Sequence, residues 1–305
     1  MINNHKKKVL IIDGHVYFYQ SYYAYPLLKN DKGENCGAIY GFLKKIKTLI
    51  LNFQPKKIII VFDTPLPTFR HTLFSDYKSN RNKMPSLLQQ QIIPLKSIIL
   101  AMGIPIITLP HVEADDIIGT LTHLGSKKNE TILICSNDND MNQLINKNVI
   151  RINNKMKIIG IQEIKKKYEI LPQYLPHVSA LMGDKSDNIP GIYGIGKKIA
   201  TILIKKFNTI NILYENINII KNMNIRGTLN IIKNLKEQKK TAFLSLKLVT
   251  INNKINIEKK WNELNCITPN IKLLNLFFKQ YQFKSWLIDI NNNFGLIRYI
   301  ENIKV

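Results

Sequence analysis

The chain has 305 residues, with 44 Lys plus Arg against 21 Asp plus Glu and a formal net charge of +23. Its length fits two domains, or one large domain with an appendage. The hydrophobic content of 45% excludes a disordered basic tail. The cysteines Cys36, Cys135 and Cys266 are scattered, which argues against a disulfide framework or a zinc site. No apolar run approaches the ~18 residues of a membrane span, so we expect a cytoplasmic protein without a membrane partner.

The basic excess has two interpretations. Clustered Lys and Arg favour a polyanionic partner, most often nucleic acid, because they release counterions when they neutralise phosphates. The alternative is codon bias in an AT-rich genome, which would leave many lysines as solvated surface. The charge alone leaves both open.

The first half of the chain alternates short apolar runs, typical of buried strands, with longer helical patterns. Strands are predicted at 9–12, 58–62, 104–108 and 131–135, and helices at 37–52, 86–102 and 114–124. Repeated strand–helix–strand units indicate an α/β fold with a mostly parallel sheet covered on both faces.

Residues 70–85 interrupt this pattern, because basic and aromatic residues interleave there without an apolar face. Such a segment is typical of an excursion from the domain. After about residue 171 the strand patterns stop. Helices are predicted at 172–182, 197–207 and 228–248, and a closing helix at 273–287.

The acids are few, but they recur where strands end or helices begin. Nine of the 21 follow this rule: Asp13, Asp63, Glu113, Asp115, Asp116, Asp138, Asp140, Asp184 and Asp187. Carboxyl ends of parallel strands meet at one edge of a sheet, where open α/β sheets place their ligands. Any single acid of this kind could be a turn former or a helix N-cap. Nine in so basic a chain indicate a shared site.

Converging carboxylates could not all stay ionised without cations. Oxygen ligands without His or Cys suit Mg²⁺ or Mn²⁺ and not zinc. Two such ions about 4 Å apart activate a water and stabilise the leaving oxygen in phosphodiester hydrolysis. A basic protein around an acidic metal site therefore predicts a nuclease.

The motifs also follow a familiar order. They are IIDG at 11–14, VFD at 61–63, FR at 69–70, YKSNR at 77–81, VEADDIIGTL at 112–121, DNDM at 138–141 and LMGDKSDNIPG at 181–191. From about residue 9 to 286 the chain closely resembles the 5′-nuclease domain of bacterial DNA polymerase I, in the flap endonuclease superfamily.

The resemblance implies a PIN-like α/β core with a helical arch, plus a helix-three-turn-helix (helix-hairpin-helix) DNA-binding region. The implied domains are 1–170, with the arch at about 70–95, 171–262 for the helical region, and 263–305 for a C-terminal segment that packs back on the core.

The resemblance also implies roles for individual residues. The nine acids would hold two or more Mg²⁺ or Mn²⁺ ions directly or through water. Tyr77, Lys78 and Arg81 would act at the 5′ end and the scissile phosphate. The implied DNA contacts are Arg70, Lys83, Gly191, Gly194, Gly196, Lys197 and Lys198, with K⁺ at the hairpin turn.

The turn at 191–198 can also be interpreted physically. Its glycines allow close approach to phosphate, and the following helix offers free N–H donors. Backbone contacts of this kind are independent of sequence. The alternative is an ordinary Gly-rich turn.

We therefore expect a 5′ to 3′ exonuclease and flap endonuclease that leaves 5′-phosphate products in RNA-primer removal and DNA repair. Its substrates would be DNA with 5′ flaps, nicks or 5′ ends and RNA–DNA primer junctions. We expect a monomer associated with the nucleoid, with a separate DNA polymerase chain as a partner. The alternatives are a PIN-type single-strand ribonuclease and a non-catalytic DNA-binding relic. Gln20, Asn137 and Asn139 depart from the family pattern, which puts some DNA contacts in doubt.

Overall fold

A computed structural model describes residues 6–26, 28–291 and 295–304. Its centre is a sheet with the strand order β3-β2-β1-β4-β5-β6. The strands are β1 (Lys8–Asp13), β2 (Lys57–Val61), β3 (Ile106–Ile107), β4 (Thr131–Cys135), β5 (Val149–Ile152) and β6 (Ile158–Ile159). All neighbours pair in parallel except β5 and β6, which are antiparallel. The predicted mostly parallel sheet is confirmed.

Helices surround the sheet and form the second half of the chain. They are α1 (Gly14–Ala24), α2 (Gly37–Phe53), α3 (Phe69–Leu73), α4 (Ser86–Ala101), α5 (Ala114–Lys127), α6 (Ile161–Tyr168), α7 (Leu175–Met182), α8 (Lys197–Phe207), α9 (Ile210–Glu215), α10 (Thr228–Glu237), α11 (Lys239–Val249), α12 (Ile271–Gln280), α13 (Lys284–Asn291) and α14 (Gly295–Ile303). None of the described helices is long and apolar enough to cross a membrane.

Successive residues of a strand point to opposite faces of the sheet, and a separate hydrophobic cluster covers each face. Leu10 and Ile12 face a cluster that α2, α4 and the C-terminal helices complete. Val9 and Ile11 face a second cluster that includes α5. A third cluster holds α7 to α11 together and also contains Tyr77.

Some elements differ from the predictions. The patterns at 228–248 and 273–287 each resolve into two helices, α10 with α11 and α12 with α13. The sequence analysis missed β5, β6 and α6. Their apolar runs are short, and Arg151 interrupts β5 although it is buried there. Tertiary packing outweighed local pattern in this region.

The segment implied as a helical arch contains the five-residue helix α3, then turns and an extended run up to Pro85, before α4 begins. Its turns lie on the loop that carries Asp184 and Asp187. The Lys78 N–H donates to the Asp187 carbonyl at 2.9 Å, and the Asn188 amide donates to the Asp76 carbonyl at 2.8 Å. This segment is therefore joined to the helical region and buries Tyr77 against it.

The chain returns to the sheet as soon as α11 ends. Ile251, Trp261 and Leu264 belong to the cluster on the α5 face. The Lys57 ammonium donates to the Trp261 carbonyl at 2.6 Å. The segment after residue 250, which lies within the region 171–262 that the resemblance implied, therefore packs on the core sheet.

Candidate active site

The carboxyl ends of the central strands place the first acids side by side. Asp13 ends β1 and caps α1, where one carboxylate oxygen accepts from the Val16 N–H at 3.1 Å. The other oxygen accepts from the Ser136 hydroxyl, just after β4, at 2.7 Å. Burial raises the pKa of Asp13 to about 7, and the charges of Asp63 and Asp138 add to the rise against the two hydrogen bonds. The capping role and a shared site therefore coexist at Asp13.

Asp63 links the end of β2 to the start of α5. Its carboxylate accepts from the Ala114 N–H at 2.6 Å, and its own N–H donates to His15 Nδ1 at 3.0 Å. Burial lowers the pKa of His15 although Asp63 opposes the shift. A neutral ring leaves Nδ1 free to accept this bond. The sequence analysis missed His15; its place two residues after Asp13 was the available signal.

Glu113 precedes α5 and is buried among donors from the 68–81 segment. Its carboxylate accepts from the Lys78 ammonium at 2.8 Å, the Thr68 hydroxyl at 3.0 Å and the Tyr77 hydroxyl at 3.1 Å. Burial raises the pKa of Glu113, but Lys78 and Arg70 outweigh it and the net pKa is lowered. Glu113 is therefore an ionised anchor for this segment.

Asp187 shares these partners from the side of the helical region. It lies 3.8 Å from the Lys78 ammonium and 2.5 Å from the Arg81 guanidinium. Burial lowers the pKa of Lys78, but Glu113, Asp115 and Asp187 outweigh it and the net pKa is raised. Burial also raises the pKa of Tyr77, which stays a neutral hydroxyl donor. The structure thus places Tyr77, Lys78 and Arg81 beside Glu113 and Asp187.

The remaining acids have fewer compensating groups. Burial and the charge of Asp138 raise the pKa of Asp115 well above its usual value, with Lys78 opposing. Burial, with Asp138, Asp184 and Asp187, raises the pKa of Asp140 to about 7. These mutual influences join eight acids, which we call the carboxylate cluster: Asp13, Asp63, Glu113, Asp115, Asp138, Asp140, Asp184 and Asp187.

Asp116 differs from the other predicted ligands. Its side chain is fully buried, and both oxygens accept from the Arg70 guanidinium at 2.7 and 2.8 Å. Arg70 is 2% exposed and also donates to the Leu248 and Thr250 carbonyls. The implied DNA contact of Arg70 is therefore wrong in this structure, because the guanidinium is enclosed. Asp116 likewise has no free oxygen for a metal, since a bidentate pair engages both.

The carboxylate cluster has the donor chemistry of a hard divalent cation, because every candidate ligand atom is a carboxylate oxygen. Burial is the main cause of the raised pKa values at Asp13, Asp115 and Asp140, and neighbouring carboxylates raise them further. Within residues 6–26, 28–291 and 295–304, no three acidic, His or Cys side chains already converge on one ion position. The composition of the cluster fits such an ion, and the side-chain conformations are not preset for it.

The glycine turn lies between α7 and α8. Gly191 and Gly194 have φ values of 63° and 78°, which favour glycine, and a Cβ on Gly191 would clash with the Gly183 backbone. Gly196 begins α8, whose first turn receives no side-chain cap.

Exposure separates the two ends of the turn. Gly194, Gly196, Lys197 and Lys198 are exposed, whereas Gly191 is buried. The exposed end therefore presents N–H groups and lysines, as a phosphate contact requires. Lys83 is also exposed, on the run before α4.

Comparisons with known proteins assign the family. Residues 8–169 match the family described as "5′-3′ exonuclease, N-terminal resolvase-like domain", and residues 170–272 match "5′-3′ exonuclease, C-terminal SAM fold". A 5′-3′ exonuclease of Buchnera aphidicola subsp. Baizongia pistaciae is 44% identical over 285 residues, covering 92% of this chain and 94% of the relative. A 5′-3′ exonuclease of Aquifex aeolicus is 35% identical over 293 residues, covering 94% and 96%.

Other similar proteins are longer or more distant. DNA polymerase I of Pseudomonas aeruginosa is 32% identical over 284 residues, which cover 92% of this chain and 31% of the polymerase. The fold is similar to the bacteriophage T5 5′-exonuclease with divalent metal ions (zinc) bound, at a TM-score of 0.64, 20% identity and coverage of 91% and 99%. It is also similar to the catalytic core of Rad2 in complex with DNA substrate, at 0.63, 18% and coverage of 93% of both chains. With both domain families matched and full-length relatives above 30% identity, the chain belongs to the 5′-3′ exonuclease family.

Proposed function

We propose that this enzyme is a divalent-metal-dependent 5′ to 3′ exonuclease and 5′-flap endonuclease that hydrolyses DNA phosphodiesters to 5′-phosphate products. The observation that carries the proposal is the carboxylate cluster, whose acids raise one another's pKa values inside a chain of net charge +23. A negative site within a positive protein suits a metal-assisted reaction on a polyanion.

The proposed cofactor is Mg²⁺ or Mn²⁺, with two or more ions held by members of the carboxylate cluster. Bound ions would activate a water and stabilise the leaving oxygen. Asp116 is left out of the proposed ligand set because Arg70 engages both its oxygens. The T5 relative with zinc bound supports the choice of a divalent ion for this fold.

Lys78 and Arg81 are proposed to contact the substrate and not to hold the metal. Lys78 and Arg81 border the cluster, and 53% of the Arg81 side chain is exposed. We assign them to the phosphate next to the scissile bond, where they offset charge that develops in the transition state. Tyr77 positions Glu113 and Asp187 by donating its hydroxyl.

The exposed end of the glycine turn is proposed to bind the duplex backbone, together with Lys83. Gly194, Gly196, Lys197 and Lys198 offer N–H groups and charge, and the turn carbonyls would take K⁺. Such contacts recognise the shape of a duplex and not its sequence. They support substrates with 5′ flaps, nicks, 5′ ends or RNA–DNA primer junctions, and a role in primer removal and repair.

The cellular setting follows from the same substrates. We propose a monomer at the nucleoid, in the cytoplasm, that acts beside a separate DNA polymerase chain. The match to about a third of DNA polymerase I supports this pairing, since in that relative the matched region and the rest are one protein.

The test is a cleavage assay on a 5′-flap duplex carrying a 5′ label in one sample and an internal label in another. Expected is release of short 5′-labelled products in Mg²⁺ or Mn²⁺ and none in EDTA. Unstructured RNA of the same length is the control substrate and should be cut far more slowly. Absence of metal-dependent cutting of the flap, or faster cutting of the RNA, would overturn the proposal.

A further inference from the structure

A cavity is lined in part by residues of the loop that carries Asp138 and Asp140. Its volume is 510 Å³, and its wall includes Arg151, Lys157, Lys166 and Lys167. The residues Asn137, Asn139, Asn142 and Asn153 also line it. Four cations and four amides around one space form a surface for an anion with several acceptor oxygens.

Arg151 is the buried part of this wall, at 4% exposure. Its guanidinium donates to the Asp138 carbonyl at 2.7 Å and to the Asn139 side-chain oxygen at 3.3 Å. Among the described residues no carboxylate lies within 4.0 Å of it, unlike Arg70, which pairs with Asp116. Buried charges in proteins are ordinarily paired. Arg151 is therefore a buried cation that forms no direct ion pair with a carboxylate of the described residues, and Asp138 is the acid that acts on it from a longer distance.

Two polar atoms near this wall also have no hydrogen-bond partner. They are Arg151 Nε and the Asn142 side-chain oxygen, and both are buried. Unsatisfied buried polar atoms cost free energy and call for an explanation. Both atoms are enclosed by the chain, so a ligand in the cavity gains access to them only when side chains of the wall move.

The single acid in the wall does not neutralise it. Glu163 accepts from the Gly160 N–H at 2.9 Å, and this bond lowers its pKa. The cavity consequently has four cations against one carboxylate. The carboxylate cluster has the opposite balance.

We infer that this cavity is a phosphate-binding site, separate from the carboxylate cluster, for a phosphomonoester or phosphodiester group. Its volume accommodates a nucleotide-sized ligand, and lysine and asparagine side chains donate to phosphate oxygens. The phosphate can come from a free nucleoside monophosphate or from the backbone of a nucleic-acid strand. The strand source rests on the proposed function; the free nucleotide does not.

The test compares two double variants with equal charge change. Lys157→Ala/Lys166→Ala removes two exposed cations of the cavity wall. Lys155→Ala/Lys165→Ala removes two exposed lysines from the same turn and the same helix that do not line the cavity. All four lysines are exposed, so both variants should fold, and equal melting temperatures would establish this.

Binding is measured in EDTA, which separates it from cleavage. One titration uses deoxyadenosine 5′-monophosphate, and the other uses a fluorescent 5′-flap duplex over a range of salt. In at least one titration, the wall variant should bind about tenfold more weakly than wild type, while the control variant stays within about twofold. With the duplex, the wall variant should also lower the salt slope by about two.

Each outcome decides between the sources. Weakening with the mononucleotide alone assigns the site to a free nucleotide, and weakening with the duplex alone assigns it to a strand. Equal binding by the wall and control variants in both titrations would overturn the inference. Loss of metal-dependent cleavage in wild type would overturn the proposed function instead and leave this result unaffected.

Discussion

Asp115 and Asp116 are neighbours in sequence but belong to regions of opposite electrostatic character. Asp116 forms a buried, bidentate ion pair with Arg70, which we call the closed pair. One oxygen of Asp116 also accepts from the Asn252 N–H. Asp115 lies in the carboxylate cluster, where burial and like charges raise its pKa. The first region pairs its charge within the chain, whereas Asp115 has Lys78 as the cation that opposes its raised pKa. Adjacent positions in the first turn of α5 thus hold one acid bound in an ion pair and one acid of the carboxylate cluster.

The largest expected effect is the loss of catalysis when an acid of the carboxylate cluster is substituted. Asp115→Asn keeps the side-chain volume but removes one ligand charge, so metal-dependent flap cleavage should fall by about 1,000-fold. The melting temperature in EDTA should stay equal or rise, because the substitution removes a repelled charge. Flap cleavage at the wild-type rate would place Asp115 outside the reaction.

Asp116→Asn tests the closed pair. It leaves the Arg70 guanidinium buried without its bidentate partner and with Glu113, 3.5 Å away, as its remaining counter-charge, so the free energy of unfolding should fall by about 3 kcal/mol. Urea unfolding with and without the substitution measures this. The matched control, Arg70→Met/Asp116→Leu, removes both charges and should recover most of the loss. A change below about 1 kcal/mol for Asp116→Asn would contradict the closed pair.

Lys78→Ala examines the border between the two regions. It removes the cation bound to Glu113 and, in the proposed function, a contact to the scissile phosphate. We expect kcat on the flap duplex to fall by about 100-fold. Lys83→Ala, on the same segment but exposed, should change it by less than about tenfold. Equal effects would mean that Lys78 acts only as general positive charge.

The metal-free protein should also show a pH dependence of its stability. Asp13 and Asp140 have folded pKa values of about 7, above 3.8, so between about pH 4 and 7 the folded state holds more protons. Their contribution to the free energy of unfolding therefore falls as pH rises through this window, by up to about 1.4 kcal/mol per pH unit for each group.

Asp140→Asn isolates the contribution of Asp140, because the asparagine amide does not titrate. In EDTA its melting temperature should decline less with pH than that of wild type. In millimolar Mg²⁺ the difference should shrink, since a ligand of the folded state offsets the repulsion. Parallel declines in EDTA would show that Asp140 titrates normally.

The sequence was sufficient for strands β1 to β4 of the sheet and for the positions of the acids that follow β1, β2 and β4. Strands β1, β2 and β4 are apolar runs followed by acids, and parallel pairing brings their ends together. It could not separate Asp115 from Asp116, because the choice depends on Arg70, which lies 46 residues before Asp116. Arg70 itself sits among aromatic and basic residues that are typical of a surface, yet it is enclosed by the chain after α11.

Arg151 shows a second limit of the sequence. A charged residue within a short apolar run argues against a buried strand, so β5 was missed. In the structure the strand is buried and Arg151 is held by carbonyl oxygens of the Asp138 loop. All residues that line the cavity lie between positions 137 and 167, but the cavity could not be predicted because β5 and α6, which carry part of its wall, were missed.

The return of the chain to the sheet after α11 has a consequence for biosynthesis. One sheet face is completed by Ile251, Trp261 and Leu264, and the other by Leu274, Phe278 and the residues of α14. Contacts such as Lys57 to Trp261 span 204 residues. High contact order slows folding. Apolar sheet faces that stay exposed until later segments have been synthesised are prone to aggregate. The α/β core therefore remains unfinished on the ribosome until nearly the whole chain has been translated.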